Sequence, residues 1–289
     1  MSQQTTAAPV HDPARRPRFA VPAGACDCHM HIFDHRFPFM AGTHSRPEAS
    51  VADYRAEQAR LGTSRMVVVA SSGYGLDNSC MLDAMARFGA QARGIVSLAP
   101  DVTEAELDRL HAAGVRGFRF NLFRSKVNGI ETLKAVADRV AGRGWHAQLW
   151  VNPPQLLECE PYLRELTIPV LLDHLVRLPE AGGRAHPAYA VLRRMLDGGN
   201  TWLKLSLATA EQLLGTPAQA ELDALVRELV AAAPERLVWG SDWPHTTAQK
   251  EGRTPPDTVD LLDLLDHWVP DAALRHRILV DNPATLFGF

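Results

Sequence analysis

The sequence predicts a single (β/α)₈ barrel, and two features of the 289-residue chain indicate it. From residue 24 onward, short apolar runs alternate with longer segments of helical periodicity. Strands that alternate with helices pair in parallel through crossovers. Eight strands, each followed by a helical segment, favour a closed barrel over an open doubly wound sheet, which is the alternative. Residues 1–22 are polar and predict a flexible N-terminal tail, so we expect the barrel over 23–289.

The predicted strands are short runs rich in β-branched, aliphatic and aromatic residues. They cover 25–31, 65–71, 93–99, 115–121, 145–151, 168–174, 201–207 and 237–242.

The predicted helices fill the intervals between these strands. Several begin near a capping residue such as Thr103, and several end at a glycine such as Gly62 or Gly114. They lie near 50–61, 77–88, 103–113, 130–142, 154–165, 186–197 and 217–233, with a closing pair near 257–268 and 271–281.

Composition excludes some classes of partner. A net charge of -3 and a pI near 6.5 give no concentrated positive surface, so we expect neither nucleic acid nor an anionic membrane as a partner. No stretch approaches the roughly 20 apolar residues that cross a bilayer. The 4 cysteines form no Cys-x-x-Cys pair, which predicts a reducing cytoplasm.

Polar residues stand at the ends of the first, sixth and eighth predicted strands. His29 and His31 project from one face because strand side chains alternate, although this pair alone could be an ordinary half-buried polar pair. His174 ends the sixth strand and Asp242 the eighth. Since the carboxyl ends of barrel strands share one rim, we expect the four side chains to converge there.

The same alternation predicts the direction of other side chains. Arg119 and Lys204 should point into the barrel. Gln148 and Ser206 should also point inward. Cys26 and Cys28 should lie opposite His29 and His31, so we interpret them as small core residues and not as metal ligands.

Three motifs together resemble the amidohydrolase superfamily. They are Cys28-His29-Met30-His31-Ile32-Phe33, the Asp173-His174 strand end, and Leu237-Val238-Trp239-Gly240-Ser241-Asp242-Trp243-Pro244-His245. Within that superfamily the chain is similar, over nearly all of 24–289, to the branch that contains 2-pyrone-4,6-dicarboxylate lactonase. The resemblance implies a (β/α)₈ barrel that hydrolyses a bond at a carbonyl carbon.

Departures from the superfamily pattern bear on the metal. Its two-metal members bridge their ions with a carboxylated lysine or a glutamate on strand four, where this chain has Arg119, which is always protonated and cannot be a ligand. The lactonase branch is understood to work without metal, so we expect no cofactor. The alternative is one zinc or manganese ion on His29, His31 and Asp242, with or without His174.

The resemblance also implies roles for the site residues. Asp242 would be the base that activates water and then the acid, and His29, His31 and His174 would donate N–H groups to the carbonyl oxygen.

The cations near the expected rim predict a small anionic substrate. The resemblance carries carboxylate binding to Arg119 and, beyond the strand, to Arg124. Further candidates for substrate binding follow other strands, although ordinary loop and turn roles are the alternative for Arg124, Lys126, Ser71 and Tyr74. These further candidates are Lys126, Lys204, Arg177, Ser71 and Tyr74.

The predicted function is therefore metal-independent hydrolysis of a carboxylate-bearing lactone, of the 2-pyrone-4,6-dicarboxylate or sugar-acid type. The alternatives are a mononuclear metal-dependent amidohydrolase or decarboxylase, a lactone isomerase of the same barrel family, and, more distantly, a non-catalytic binder of small acids. The sequence predicts neither the individual lactone nor the oligomeric state.

Overall fold

An eight-stranded sheet in the order β1 to β8 forms the frame of the computed structural model, which describes residues 12–43, 46–122, 129–208 and 210–289. Each strand pairs in parallel with the next. The strands are β1 Cys26–Met30, β2 Arg65–Val69, β3 Ala92–Val96, β4 Val115–Asn121, β5 His146–Trp150, β6 Val170–Leu172, β7 Thr201–Leu205 and β8 Leu237–Trp239.

The sheet closes between β1 and the segment that follows β8. The Asp242 N–H donates to the His29 carbonyl at 2.8 Å, and the His31 N–H donates to the Trp243 carbonyl at 2.9 Å. The predicted (β/α)₈ barrel is confirmed, and its closing seam lies directly beside the residues expected to form the site.

Helices surround the sheet. Most match the sequence prediction to within a few residues, but the short helices α8 and α11 were not predicted. The helices are α1 Val51–Leu61, α2 Ser79–Phe88, α3 Glu104–Ala112, α4 Leu133–Val140, α5 Pro153–Arg164, α6 Pro187–Asp197, α7 Gln219–Ala232, α8 Thr246–Lys250, α9 Thr258–Trp268, α10 Ala272–His276 and α11 Asn282–Phe287.

Two apolar layers form the core. The larger lies between sheet and helices and includes Phe118 and Phe120 of β4, as the alternation predicted. The smaller fills the barrel interior and is closed at one end by Phe287 of α11. It comprises Cys26, Cys28, Val67, Val69, Ile95, Leu171, Trp202, Val238, Leu286 and Phe287.

Strand β1 contains a bulge that corrects one prediction. The pairing register with β2 shifts between Asp27 and Met30, so β1 carries one extra residue there. Cys28 therefore lies in the barrel interior and His29 faces the inward-pointing Lys204, although the two residues are adjacent. The prediction that Cys26 and Cys28 lie opposite the histidines was wrong, whereas their assignment as small core residues is confirmed.

The described part of the N-terminal segment packs on α9. Arg15 and Arg18 form ion pairs with Asp260 and Asp263 of that helix, and Phe19 packs against the core. The rest of the tail predicted over 1–22, residues 1–11, lies outside the described residues, and the boundary at residue 23 stays a prediction. Among the helices of the described ranges, none combines the length and the apolar character needed to cross a membrane.

Candidate active site

His29 lies at the centre of a polar cluster at the carboxyl ends of the strands. Its Nε2 atom is 3.3 Å from Nε2 of His31 and 3.6 Å from Oδ1 of Asp242. Its ring centroid is 4.8 Å from that of His174. The three histidines are buried, while the Asp242 side chain is 12% exposed to solvent. The structure thus brings the four expected residues together and leaves the carboxylate within reach of solvent.

The backbone that carries Asp242 is held by β1. Its N–H donates to the His29 carbonyl, and the preceding Ser241 donates its N–H and O–H to the Asp27 carboxylate at 2.9 and 2.6 Å. Asp242 has a φ of 62°, in the left-handed region that aspartate adopts more readily than most residues. These bonds fix the direction of the Asp242 side chain.

The surroundings of Asp242 tune its acidity. Burial raises the pKa of Asp242 to about 7, against the opposing charge of the Arg119 guanidinium. A carboxyl group with this pKa is a stronger base than an exposed aspartate and populates both protonation states at neutral pH. Asp242 can therefore take a proton from water and return it later.

The hydrogen bonds of His31 assign its proton. Its Nδ1 is 2.8 Å from the Val69 carbonyl oxygen, which can only accept, so Nδ1 carries the proton and Nε2 has a lone pair. Burial lowers the pKa of His31 to about 3, with a further contribution from Arg119, so the ring is neutral. Towards the site, His31 is an acceptor, so the donor role expected for it from the sequence was wrong.

His174 follows β6 in a strained turn. Residues His174 to Arg177 all have positive φ, between 51° and 57°, and a left-handed residue other than glycine costs roughly 1–2 kcal/mol. The His174 Nδ1 atom lies 2.7 Å from Ser206 Oγ, and burial lowers the pKa of His174 to about 3. A serine hydroxyl that donates to Nδ1 leaves an N–H on Nε2.

Beneath the histidines, Asp173 joins several of the buried polar groups. Its Oδ1 is 3.0 Å from Lys204 Nζ, and its Oδ2 accepts from Gln148 Nε2 at 3.0 Å and lies 3.4 Å from Arg119. Burial alone would raise the pKa of Asp173, but Lys204, His29 and Arg119 outweigh it and hold that pKa well below its usual range. Asp173 is therefore ionised.

Arg119 is the cation best placed to meet an anionic ligand. It points into the barrel as predicted, with its guanidinium 5.3 Å from the Trp150 ring and one terminal nitrogen 3.4 Å from the Ala70 carbonyl. Its other terminal nitrogen lies 3.4 Å from the Asp173 carboxylate, and its Nε has no hydrogen-bond partner within the described ranges. A buried donor without a partner is costly, so a ligand that accepts from it would bind favourably.

The other candidates for substrate binding differ in position. Lys204 is fully buried against Asp173 and His29, so it does not face a substrate as we had expected. Arg177 forms an ion pair with Glu180 at 3.5 Å. Arg124 and Lys126 lie outside the described residues.

Ser71 and Tyr74 form hydrogen bonds with other parts of the protein. Ser71 Oγ accepts from the Gly73 N–H at 3.2 Å, which matches the turn role that was the alternative. The Tyr74 hydroxyl accepts from the Asp34 N–H at 3.2 Å and so joins the loop after β2 to the segment after β1.

Four functional positions were missed by the sequence reasoning. Asp173, Gln148 and Ser206 support the site histidines, and Asp27 joins β1 to the residue before Asp242. Gln148 and Ser206 were placed inward by the alternation, which was the available signal.

The spacing of the donors raises the question of a metal. His29 Nε2, His31 Nε2 and Asp242 Oδ1 are 3.3 to 3.7 Å apart, close to the about 3.3 Å between ligands of a tetrahedral zinc ion. The hydrogen bonds do not fit, however. His29 Nδ1 faces the Lys204 ammonium, which can only donate, so the proton of His29 is on Nε2, where a ligand needs a lone pair. A metal on these three groups would require His29 to change its tautomer.

The chain is similar to known proteins over most of its length. Residues 26–289 match the family model described as amidohydrolase. The chain is 34% identical over 285 residues to 2-pyrone-4,6-dicarboxylate hydrolase of Comamonas testosteroni, with 94% of this chain and 92% of that protein covered. It is 31% identical over 274 residues to D-galactarolactone isomerase of Agrobacterium fabrum, with 94% and 93% covered.

A solved structure has a similar fold. A probable 2-pyrone-4,6-dicarboxylic acid hydrolase from Acinetobacter baumannii, crystallised with citric acid bound, superposes with a TM-score of 0.79. The two chains are 26% identical, and 92% of this chain and 100% of that one are covered.

Proposed function

We propose, from the premise that this chain belongs to the amidohydrolase family, that it hydrolyses the ester bond of a lactone that carries one or more carboxylates. The observation that carries the proposal is the Asp242 carboxyl group, with a pKa of about 7, set against His29 and His31. One relative hydrolyses a pyrone dicarboxylate by name, which supports the reaction class.

Asp242 is the general base. Its ionised form takes a proton from a water molecule as the water oxygen attacks the lactone carbonyl carbon. The tetrahedral intermediate then breaks its bond to the ring oxygen, and protonated Asp242 returns the proton to that oxygen. The product is an open-chain acid, and Asp242 ends ionised as it began.

Two histidines polarise the carbonyl. His29 and His174 direct Nε2–H groups to the developing oxyanion. The His29 Nδ1 faces the Lys204 ammonium, and in this arrangement the Ser206 hydroxyl donates to the His174 Nδ1. His31, with its lone pair on Nε2, accepts the His29 N–H before substrate binds, and the developing oxyanion then takes its place as the acceptor.

Arg119 binds a substrate carboxylate, with its guanidinium near the Trp150 ring and its Nε free of hydrogen-bond partners within the described ranges. Arg124, Lys126 and Arg177 are further candidates for the same anion. The similar structure from Acinetobacter baumannii has citric acid bound, which supports an anionic ligand.

We also propose that the reaction needs no metal, since the hydrogen bonds of His29 leave no lone pair on Nε2. One zinc or manganese ion on His29, His31 and Asp242, as in a mononuclear amidohydrolase or decarboxylase, is the alternative. A lactone isomerase is the second candidate function, because one relative has that activity by name.

The cellular setting is part of the proposal. The 4 cysteines are free and buried, which supports a reducing cytoplasm. The proposed partner is a small anionic substrate, and a net charge of -3 does not suit nucleic acid.

A lactone screen tests the proposal. Carboxylated lactones and their neutral analogues are offered to the protein after treatment with a chelator, and the products are identified by NMR. We expect ring opening with release of acid for the carboxylated compounds alone. Asp242→Asn should abolish turnover while substrate binding, measured by calorimetry, stays within about threefold, because the amide cannot take a proton.

Other outcomes would point elsewhere. A rearranged ring as product would indicate an isomerase, and activity that returns only with added zinc or manganese would indicate the metal-dependent alternative. Retained turnover in Asp242→Asn would remove Asp242 as the base.

A further inference from the structure

The ammonium group of Lys204 is buried in the barrel at the base of the site. The side chain has 0% exposure, and its Nζ lies 3.1 Å from His29 Nδ1 and 3.0 Å from Asp173 Oδ1. It therefore cannot touch a substrate. A lysine this deep in the core needs a reason, because burial of a charge is costly unless it is paired.

The position of Lys204 constrains His29. Burial lowers the pKa of Lys204, but the ionised carboxylate of Asp173 at 3.0 Å opposes this and favours the ammonium form. An ammonium has three donors and no acceptor. His29 Nδ1 must then accept, so the proton of the neutral ring is on Nε2. That N–H points towards His31 and Asp242.

The second ring leads to the same assignment independently. His31 gives its Nδ1 proton to the Val69 carbonyl at 2.8 Å and keeps a lone pair on Nε2. His29 Nε2 is 3.3 Å from His31 Nε2, the atom that carries this lone pair. Two lone pairs facing each other at this distance would repel, whereas an N–H of His29 makes a hydrogen bond.

We propose that Lys204 is a positioning residue that fixes His29 in the Nε2–H tautomer, and thereby keeps the site a hydrogen-bonding site and not a metal-binding one. The value of the N–H for catalysis rests on the proposed function, but the tautomer itself does not.

The same geometry says what happens without the ammonium. The polar group then left beside His29 Nδ1 is Asp173 Oδ1, at 3.5 Å, and a carboxylate can only accept. His29 would move its proton to Nδ1 and present a lone pair on Nε2, next to His31 Nε2 and Asp242 Oδ1. A histidine that donates to a carboxylate and binds with its other nitrogen is the usual arrangement of a zinc ligand.

The wild-type protein provides the first test. With ¹⁵N-labelled histidine, long-range ¹H–¹⁵N spectra distinguish the two neutral tautomers, and the loss of signals in His29→Gln identifies the His29 ring. We expect Nε2–H for His29 and Nδ1–H for His31. An Nδ1–H ring at His29 would overturn the proposal whether or not any lactone is hydrolysed.

The second test removes the ammonium. In Lys204→Met we expect His29 to switch to the Nδ1–H tautomer. Turnover of the lactone identified by the screen should fall about 10²–10³-fold with little change in KM. After dialysis against zinc-free buffer that follows loading with zinc, one zinc ion per chain should remain. The matched control is Lys134→Met, which removes an exposed lysine paired with Asp138 and should behave as the wild type does.

A third variant separates positioning from simple support of the fold. Lys204→Gln lacks the charge but has an amide donor for His29, so it should keep the Nε2–H tautomer, bind no zinc and retain more turnover than Lys204→Met. Equal tautomers in Lys204→Met and the wild type would contradict the proposal. If the methionine variant does not fold, the wild-type and glutamine spectra still decide.

Discussion

Asp242 shows how a common side chain acquires an unusual property from its neighbours. An exposed aspartate has a pKa near 3.9 and is a weak base. Burial raises the pKa of Asp242 to about 7, while the charge of Arg119 keeps it from rising further. The residue proposed to bind the substrate carboxylate therefore also sets the acidity of the base.

This coupling predicts a pH dependence. The base must be ionised, so kcat/KM should rise with pH through about 7 and then level off, as Asp242 loses its proton. In Arg119→Met the opposing positive charge is gone, so the rising limb should move to higher pH in addition to any loss of affinity. Initial rates of the wild type and the variant from pH 5 to 9 measure the two rising limbs. A wild-type kcat/KM that stays constant over this range would contradict the assignment.

The four residues of the cluster could be predicted from the sequence, because each stands at the end of an apolar run and the ends of barrel strands lie close together. The hydrogen bonds that decide their chemistry could not be predicted. The protons of His31 and His174 depend on Val69 and Ser206, which are distant in the chain and are brought close by strand register. Motif spacing contains no information on such contacts.

At the scale of elements, the seam between β1 and the end of β8 does most to shape the site. The Asp27 carboxylate accepts from the His29 N–H at 3.1 Å, from the Tyr54 hydroxyl at 3.0 Å and twice from Ser241. It thus joins the bulge in β1, helix α1 and the residue before Asp242. The bulge was unpredictable, because no glycine or proline marks it and strict alternation placed Cys28 on the wrong face.

Asp27→Asn tests this seam. The amide replaces one acceptor oxygen by a donor that faces other donors, and a buried group left unsatisfied costs about 1–3 kcal/mol. We expect the free energy of unfolding to fall by that amount and turnover to drop about tenfold, as Asp242 loses its fixed direction. Urea denaturation and steady-state rates measure the two effects.

The matched control for that change is Asp53→Asn on the surface. Asp53 caps α1 through Ser50 and is exposed, so its loss should cost about 1 kcal/mol or less and leave turnover unchanged. Wild-type stability in Asp27→Asn would show that the seam does not depend on this carboxylate.

At the scale of the whole molecule, the barrel could be predicted because its strands and helices repeat one pattern, and the inward side chains of β4, β5 and β7 followed period two. The packing of the two ends of the chain could not be predicted. Helix α11 directs Phe287 into the barrel interior, and Arg15 and Arg18 pack the N-terminal segment on α9. Both depend on surfaces that exist only once the barrel has closed.

The buried histidines predict how the whole fold responds to acid. Burial lowers the pKa values of His31, His146 and His174 to about 3, against about 6.5 in an unfolded chain. The unfolded state therefore binds more protons between these values, so stability is full above pH 6.5 and falls as the pH drops towards 3, by about 1.4 kcal/mol per pH unit for each ring. Asp242, with its raised pKa, opposes this fall between pH 7 and 4.

His146→Leu isolates one of these contributions, because His146 lies at the start of β5, packs against Phe287 and has no role in the proposed chemistry. Free energies of unfolding of the wild type and the variant are measured with urea from pH 8 to 4.5. Their difference at pH 8, where the ring is neutral in both states, should shift in favour of the variant as the pH falls. The variant should lose about 1.4 kcal/mol less per pH unit below 6.5. Parallel curves for the two proteins would mean that this ring is protonated equally in the folded and unfolded chains, and that burial does not make the barrel acid-sensitive.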